Sequence, residues 1–448
     1  MNLLSTLMTE LGFFSGVGIF LVGLEELLVD ALWALTSWRA SRNKMDALKP
    51  LNLQKRLVVF VAAWQEEAVI GSMLRHAVAQ WGEGPWCLYV GCYPNDRETI
   101  NTVAAVSHPS IRMALNVRPG PTTKGDCLNT IWAQMLVDEA RDGLHYEAII
   151  LHDAEDMVHP LALDVMRRGL DNFAVVQLPV LPAVDHASRW VSGHYIDEFS
   201  EAHSRDMVVR SAIGASLPMA GVGCAIRRDA IDKMAALRDG LPFAEDSLTE
   251  DYELGLTLGD LGFSSTFIAA REPETNRLIA VRAHFPALME AAIRQKTRWT
   301  VGIALLGWRK LGWSPKPVDL WMRVRDRRTV FSSLIMVTAY AGLLIGLGWQ
   351  FTAPLHGHDF PPLGPAITQL WAINFVLLIW RAAVRAFCVS RNYALTEAMR
   401  AIPRMLVSSF IAIASSRRAL LAYIAFLRHK TLTWDKTDHV FPAASVNS

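Results

Sequence analysis

At 448 residues the chain is long enough for one large domain or two modest ones, and 44 Lys and Arg against 43 Asp and Glu give no electrostatic case for nucleic acid. A hydrophobic fraction of 52% and 15 tryptophans exceed what most soluble enzymes carry and point to a membrane interface. The five cysteines (Cys87, Cys92, Cys127, Cys224, Cys388) are odd in number with no CxxC pair, which argues against a disulfide framework or zinc site and fits a reducing compartment.

In chain order, the first feature is an apolar segment from Leu11 to Leu35, interrupted by Glu25, Glu26 and Asp30. It reads equally as a span or as an interfacial helix, and with nothing basic ahead of it, not as a cleaved signal peptide. Leu57–Trp64 is a continuous valine-rich run, the pattern of a strand buried on both faces. A helix is expected from about Ala68 to Trp81. Further strand-like runs follow at Trp86–Val90, Ala148–Leu151 and Ala174–Leu178, with helices around Leu128–Asp138 and Leu161–Leu170. This alternation predicts an α/β domain with a mostly parallel sheet, whose ligand crevice lies beyond the strand C-termini.

Thr329–Phe351 carries no charge and as a helix would extend about 35 Å, enough to cross a bilayer. Ile367–Val389 is a further span, with Arg381 and Arg385 late enough to snorkel. Met405–Leu427, with Ser415, Ser416, Arg417 and Arg418 at its centre, is expected to lie on the membrane. Arg39, Arg42, Lys44, Lys55 and Arg56 follow the first segment, Arg323, Arg325, Arg327 and Arg328 precede the second, and the loop from Thr352 to Pro365 holds neither Lys nor Arg. The positive-inside rule then places residues 40–328 and the C-terminal tail in the cytoplasm. The expected divisions are an N-terminal span or interfacial helix (1–40), an α/β domain (41–285), amphipathic interface helices (286–328), two spans (329–390), and an interfacial helix with a cytoplasmic tail (391–448).

Five short motifs carry chemistry. HDAED, His152 to Asp156, ends a strand, and its Asp153, Glu155 and Asp156 suit Mg²⁺ or Mn²⁺; the same acids could equally cap the helix that starts near Pro160. TKGDCLN, Thr123 to Asn129, puts Lys124 ahead of a helix, solvated or on a phosphate. GVGCAIRR, Gly221 to Arg228, places two glycines before a short strand, either for an ordinary turn or for close backbone approach to a ligand. In RQKTRW, Gln295, Arg298 and Trp299 share one helix face, forming a platform for a diphosphate and a sugar ring. Leu288, Ala292, Trp299 and Ile303 also mark an apolar stripe for a membrane surface. The fifth, FAEDSLTEDYELG from Phe243, holds Glu245, Asp246, Glu250, Asp251 and Glu253. Ser247 and Glu250 have capping-box spacing, Asp251 falls in the first helical turn, Leu254, Leu258 and Leu261 form the buried stripe, and Glu253 is expected to face solvent. Glu245 and Asp246 have no assigned role beyond an acceptor contact.

Taken in this order, VAAWQEE, TKGDCLN, HDAED, TED and QKTRW resemble the membrane-embedded family 2 glycosyltransferases over roughly residues 55–310 and the flanking spans. YPND (Tyr93 to Asp96), HDAED and the spacing of TED are similar to an inner-membrane branch of that family. The resemblance implies a GT-A-like nucleotide-diphospho-sugar transferase domain inserted between membrane helices, and inverting transfer from a nucleotide-diphosphate sugar, a UDP-sugar above all. Trp64, Glu66, Asp96, Lys124 and Asp153 would bind the donor. Asp153 and Glu155, with Asp156, would anchor Mg²⁺ or Mn²⁺. Asp251 would be the general base, Gln295 and Arg298 would hold the diphosphate, and Trp299 would stack near the acceptor. Two departures stand out: the metal motif is Asp-Ala-Glu rather than Asp-x-Asp, and Gly91 or Cys92 stands where many relatives read uracil with an aspartate. Members of that branch often carry a further C-terminal domain associated with cyclic di-GMP; the expectation here is that it is absent or supplied by another protein. The partners implied are the nucleotide sugar, a glycan or lipid-linked acceptor, the bilayer, and export or outer-membrane proteins. A transferase adding one sugar to a lipid carrier, and a non-catalytic membrane scaffold or receptor component, are the competing readings.

Overall fold

The computed structural model describes residues 3–42, 55–352, 364–429 and 441. The loop between Thr352 and Pro365, Lys44 and most of the C-terminal tail, all used in the topology argument, lie outside these residues. Helix α1 (Leu3–Arg42) precedes an α/β domain: β1 (Leu57–Ala62), α2 (Ile70–Trp81), β2 (Trp86–Cys92), α3 (Arg97–Ala104), β3 (Ile111–Leu115), α4 (Lys124–Asp142), β4 (Ala148–His152), α5 (Ala162–Gly169), β5 (Val175–Gln177) and β6 (Val180–Pro182). Helix α6 (Val191–Glu201), a π-helical turn (Ala202–Asp206) and α7 (Met207–Ala212) follow, then β7 (Cys224–Arg227), α8 (Arg228–Leu237), α9 (Glu250–Asp260), β8 (Ser265–Phe267) and β9 (Val281–Ala283). The chain ends in α10 (Met289–Trp299), a second π turn (Thr300–Leu306), α11 (Gly307–Leu311), α12 (Pro317–Arg327), α13 (Thr329–Thr352), α14 (Pro365–Ser390) and α15 (Leu395–His429).

The main sheet has the order β3-β2-β1-β4-β7-β5-β8. β3, β2, β1 and β4 are parallel, β7 is antiparallel to both neighbours, and β8 pairs parallel with β5. Alternation along β1 divides the core: Leu57, Val59 and Val61 face α2 and α5, while Val58 and Phe60 face α4, α8 and α9. The sheet is mostly parallel, as the sequence predicts. β6 and β9 form a separate parallel pair, and these strands with β8, each 3 residues long, are too short to show a pattern in sequence.

Among the described residues, four helices are long and apolar enough to cross a membrane: Thr6–Thr36, Thr329–Thr352, Pro365–Ser390 and Leu395–Arg428. α1 lies along α13 in the opposite sense, with Gly18 against Ile335, and along α14 in the same sense, with Gly12 at Trp371 and Gly23 at Leu377. The acids that interrupt its apolar pattern have partners. Glu25 and Glu26 pair with Arg325 and Arg328, and Glu26 and Asp30 with the buried Arg205 at 2.6 and 2.7 Å. α15 touches Val389 near the end of α14 through Ala398 and Ala401. Farther along, Ser416 Oγ is 2.8 Å from Ser333 Oγ in the first turn of α13. The two serines at its centre are therefore buried against a neighbouring helix rather than marking a solvent-exposed break.

Candidate active site

The crevice lies beyond the C-termini of β1, β2 and β4. After β4 the chain turns through HDAED, and its acids separate. Asp156 points inward, with Oδ2 2.6 Å from His152 Nδ1 and accepting from the Asp153 N–H at 3.1 Å. Burial pushes its carboxyl above the ordinary range. Asp156 therefore ties the loop together and leaves the expected metal set. Asp153 faces the crevice and accepts from Lys124 Nζ at 2.5 Å. Glu155 is buried beside it. Among the described residues no group of three His, Cys, Asp or Glu could hold a metal ion. Asp153 still fits one, because Mg²⁺-type ions are commonly held by one or two carboxylates plus substrate phosphates rather than by a protein cage.

Lys124, the first residue of α4, is the centre of the cluster. Its Nζ lies 3.4 Å from the Gly221 carbonyl oxygen and 4.0 Å from Glu250 Oε1 besides its bond to Asp153. Burial alone would lower its pKa; the Asp153, Glu250 and Asp251 carboxylates outweigh that and hold it well above the lysine range. A Cβ on Gly221 would sit 2.6 Å from Asp251 Oδ2 and 3.4 Å from Lys124 Nζ, so the close backbone approach expected of GVGCAIRR is to the site's own side chains. Gly221 has φ +73°, which glycine adopts without strain. Burial first, then the Glu250 carboxylate, push Asp251 up to about 7, with Lys124 pulling the other way.

The capping box expected in FAEDSLTEDYELG does not form. Helix α9 starts two residues later than that box requires, with Thr249 as N-cap and no side-chain cap bond; Ser247 Oγ accepts instead from the Thr249 N–H at 3.3 Å. Glu250 is thereby buried facing Lys124 rather than serving as cap. Glu253 does not face solvent: it pairs with Arg238 at 2.8 Å and Lys310 at 3.5 Å. Asp246 pairs with Lys310 at 2.7 Å. Glu245 accepts from Arg118 at 2.8 Å and Asn129 at 3.3 Å.

TKGDCLN does more than present a lysine. Thr123 caps α4 by accepting from the Asp126 N–H, and Asn129 exchanges two 3.0 Å bonds with the Phe243 backbone. A Cβ on Gly125 would stand 2.4 Å from the Ala244 carbonyl oxygen. The motif thus carries the Lys124 side chain and docks the loop that leads to Asp251. A glycine in the first turn of a helix, where it is unfavourable, is the sequence signal for that contact.

Beyond β1 and β2, Trp64 lies over Gly120 and meets Tyr93 edge-on at 5.1 Å. Asn95 makes two bonds to Gly120, at 2.7 and 2.8 Å, and Tyr93 Oη lies 2.7 Å from Thr122 Oγ1, so YPND pins the 117–123 loop over the crevice. Asp96, expected among the donor-binding residues, is buried and N-caps α3: its oxygens accept from the Thr99 and Gln65 N–H groups. Glu66 is buried in the same turn. Gly91 has no room for an aspartate, since its Cβ would fall 2.4 Å from Cys127 Sγ.

QKTRW lies on α10. Trp299 meets Tyr195 and Phe199 at 6.3 Å, and Lys296 Nζ sits 4.6 Å from its ring centroid. Gln295 Oε1 is buried without a hydrogen-bond partner. Beyond α10, the π turn reaches the N-cap of α9, where a Cβ on Gly302 would be 2.5 Å from Thr249 Oγ1.

The family profile of "glycosyltransferase like family 2" matches residues 55–302, the stretch that contains Lys124, Asp153, Asp251 and the QKTRW residues. The chain is a member of glycosyltransferase family 2. This family 2 glycosyltransferase is 32% identical over 421 residues to bacteriophage adsorption protein B of Escherichia coli strain K12, and equally so to bacteriophage N4 adsorption protein B of Escherichia coli O157:H7. Each alignment takes in 88% of this chain and 56% of the relative, so the chain spans just over half the length of the curated proteins it matches. Its fold is GT-A-like. A mannosyltransferase from Pyrobaculum calidifontis, solved in complex with GDP-Man and Mn²⁺, superimposes with a TM-score of 0.54 at 16% identity, over 92% of this chain and 99% of that one.

Proposed function

We propose that this transferase moves a hexose or N-acetylhexosamine from a UDP-sugar, with inversion at the anomeric carbon, to a growing envelope glycan or exopolysaccharide at the cytoplasmic face of a bacterial inner membrane. The observation that carries the reading is the cluster of Lys124, Asp153, Glu250 and Asp251 at the C-terminal edge of the sheet. Asp251 takes the proton of the acceptor hydroxyl as its oxygen bonds to the anomeric carbon; the bond from that carbon to the diphosphate breaks, and the nucleoside diphosphate departs. A carboxyl near 7 suits this, being about half ionised at neutral pH and more basic than an ordinary aspartate. Bound Mg²⁺ or Mn²⁺ would neutralise charge on the leaving diphosphate. Asp153, with Glu155 beside it, would hold that ion, and Lys124 adds a fixed positive charge to the same place. Gln295 and Arg298 steady the diphosphate, Trp299 lines the acceptor side, and Trp64 and the loop it covers wall the nucleoside.

The arginine-rich ends of α12 and α14 support a cytoplasmic catalytic domain. α1, α13 and α14 lie side by side as spans, while α15 runs across their charged ends. Incubating the purified chain in detergent with a panel of UDP-sugars and Mg²⁺ tests the reading. A ladder of products is expected; one adduct on a lipid carrier would favour single addition, and neither transfer nor donor hydrolysis with any sugar would favour a scaffold.

A further inference from the structure

Helix α9 carries Asp251, and its surroundings lead repeatedly to one other element. At its N-terminal end, Tyr252, the residue after the base, is buried and donates from Oη to Asp326 of α12 at 3.0 Å. At its C-terminal end, Asp260 accepts from Arg323 of α12 at 2.6 Å, and Arg323 is 1% exposed. Beneath it, Gly255 and Gly259 lie directly on the Ser216–Met219 segment, where a Cβ would come within 2.5 Å of the Leu217 carbonyl oxygen and 2.0 Å of Ser216 Oγ. That segment is also fixed to α12: Ser216 N–H donates to Asp319 at 2.6 Å, and Arg210, whose Nε donates to the Ser216 carbonyl, holds both oxygens of Asp326 at 2.9 and 3.0 Å. Asp319, Arg323 and Asp326 fall on one face of α12 at spacings of four and three. At the N-cap of α9, the π turn rests on Thr249 through Gly302. Arg327 of α12 donates to the Gly307 carbonyl just beyond that turn at 3.2 Å. One residue, Arg328, separates α12 from the apolar helix α13.

We infer that α12, with the π turn it holds through Arg327, is the seat of the base helix: Asp326 through Tyr252, Arg323 through Asp260, and Gly302 of that turn through Thr249 are positioning residues that set Asp251 from the membrane side. This rests on Asp251 being the base. None of these groups has to touch substrate. Their effect is on where the Asp251 carboxylate stands relative to Lys124 and the acceptor hydroxyl, and displacement of about 1 Å can cost on the order of a hundredfold in rate. The sugar-transfer machinery is thereby fastened to the anchor at the residue that performs the chemistry, not only at the domain boundary.

The test uses the full chain in lipid nanodiscs, with initial rates of sugar transfer and separate donor binding by calorimetry. Tyr252→Phe removes one hydroxyl and is expected to lower kcat roughly tenfold, with the donor dissociation constant unchanged. Gly302→Ala, which forces a methyl onto Thr249, is expected to lower kcat further. Adding Thr249→Ala to it removes the Oγ1 and Cγ2 atoms it strikes and is expected to restore the rate to within about twofold of Thr249→Ala alone. If Tyr252→Phe keeps the parent kcat and only the melting temperature falls, or if the double variant is no faster than Gly302→Ala, the inference is overturned. Asp251→Asn is run alongside. Full transfer by that variant would sink the base assignment itself, an outcome distinct from failure of the positioning residues.

Discussion

Asp251 owes its raised pKa to the balance of burial and charge. With Glu250 pushing its carboxyl up and Lys124 pulling it down, it settles near 7, in place of the ordinary 3.8. With Asp251 as the proposed base, transfer would require its ionised form, so kcat/KM should fall as pH drops through about 7. Glu250→Gln removes the like charge and should move that limb to lower pH, measurable as a pH–rate profile. A limb that stays put would separate Glu250 from the base. Asp251→Asn should reduce transfer by roughly 10²–10⁴-fold while donor binding persists. It should also stabilise the protein in a defined window. A folded carboxyl with a raised pKa contributes stability below its unfolded value that is lost as pH rises through the folded one. The melting-temperature gain of Asp251→Asn should therefore grow between pH 3.8 and about 7 and level off above.

At the scale of elements, the loop from Phe243 to Thr249 is held by neighbours rather than by its own helix cap. Asn129, Arg118 and Lys310 hold it, and Gly125 lets α4 approach its backbone. Gly125→Ala is a sharp probe of this. In a free helix the change would stabilise by about 1 kcal/mol. Here the added methyl meets the Ala244 carbonyl, which cannot swing aside, so a loss of about 1–3 kcal/mol and faster hydrogen exchange across residues 243–246 are expected. A neutral result would mean that the loop yields easily. The motif stands out in sequence only through its resemblance to family 2 glycosyltransferases, since a lysine ahead of a helix is by itself as readily solvated. The capping box was misread because Ser247 and Glu250 have the right spacing but the chain between them turns before becoming helical.

Across the whole molecule, domain and membrane helices are joined by buried ion pairs. Arg205, 1% exposed, contacts Glu26, Asp30, Glu201 and Asp206, bringing α1 and α6 to the π turn on which it lies. Arg205→Met would strand those carboxylates and should cost about 3–5 kcal/mol, against little change for the exposed Arg417→Met, by unfolding in detergent. The lie of α15 is open to a depth measurement. Its apolar side chains Met399, Phe410 and Leu421 are exposed, and spin labels at these three positions should report one shallow depth if the helix runs across the ends of α13 and α14. A steady change of depth along the series would make it a fourth crossing.

The sequence by itself determined the α/β alternation, the apolar helices and the order of the five motifs, because these rest on periodicity and on side-chain chemistry within short windows. It could not decide which acids of a cluster face the crevice. Asp153 and Asp156, three residues apart in one loop, point to different partners, and Asp96 spends both oxygens on backbone N–H groups. Nor could it explain Glu25, Glu26 and Asp30 in an apolar helix, since their arginine partners lie as many as 303 residues away. Long-range contacts decide the charge state of a buried group, and only the tertiary structure brings those contacts together.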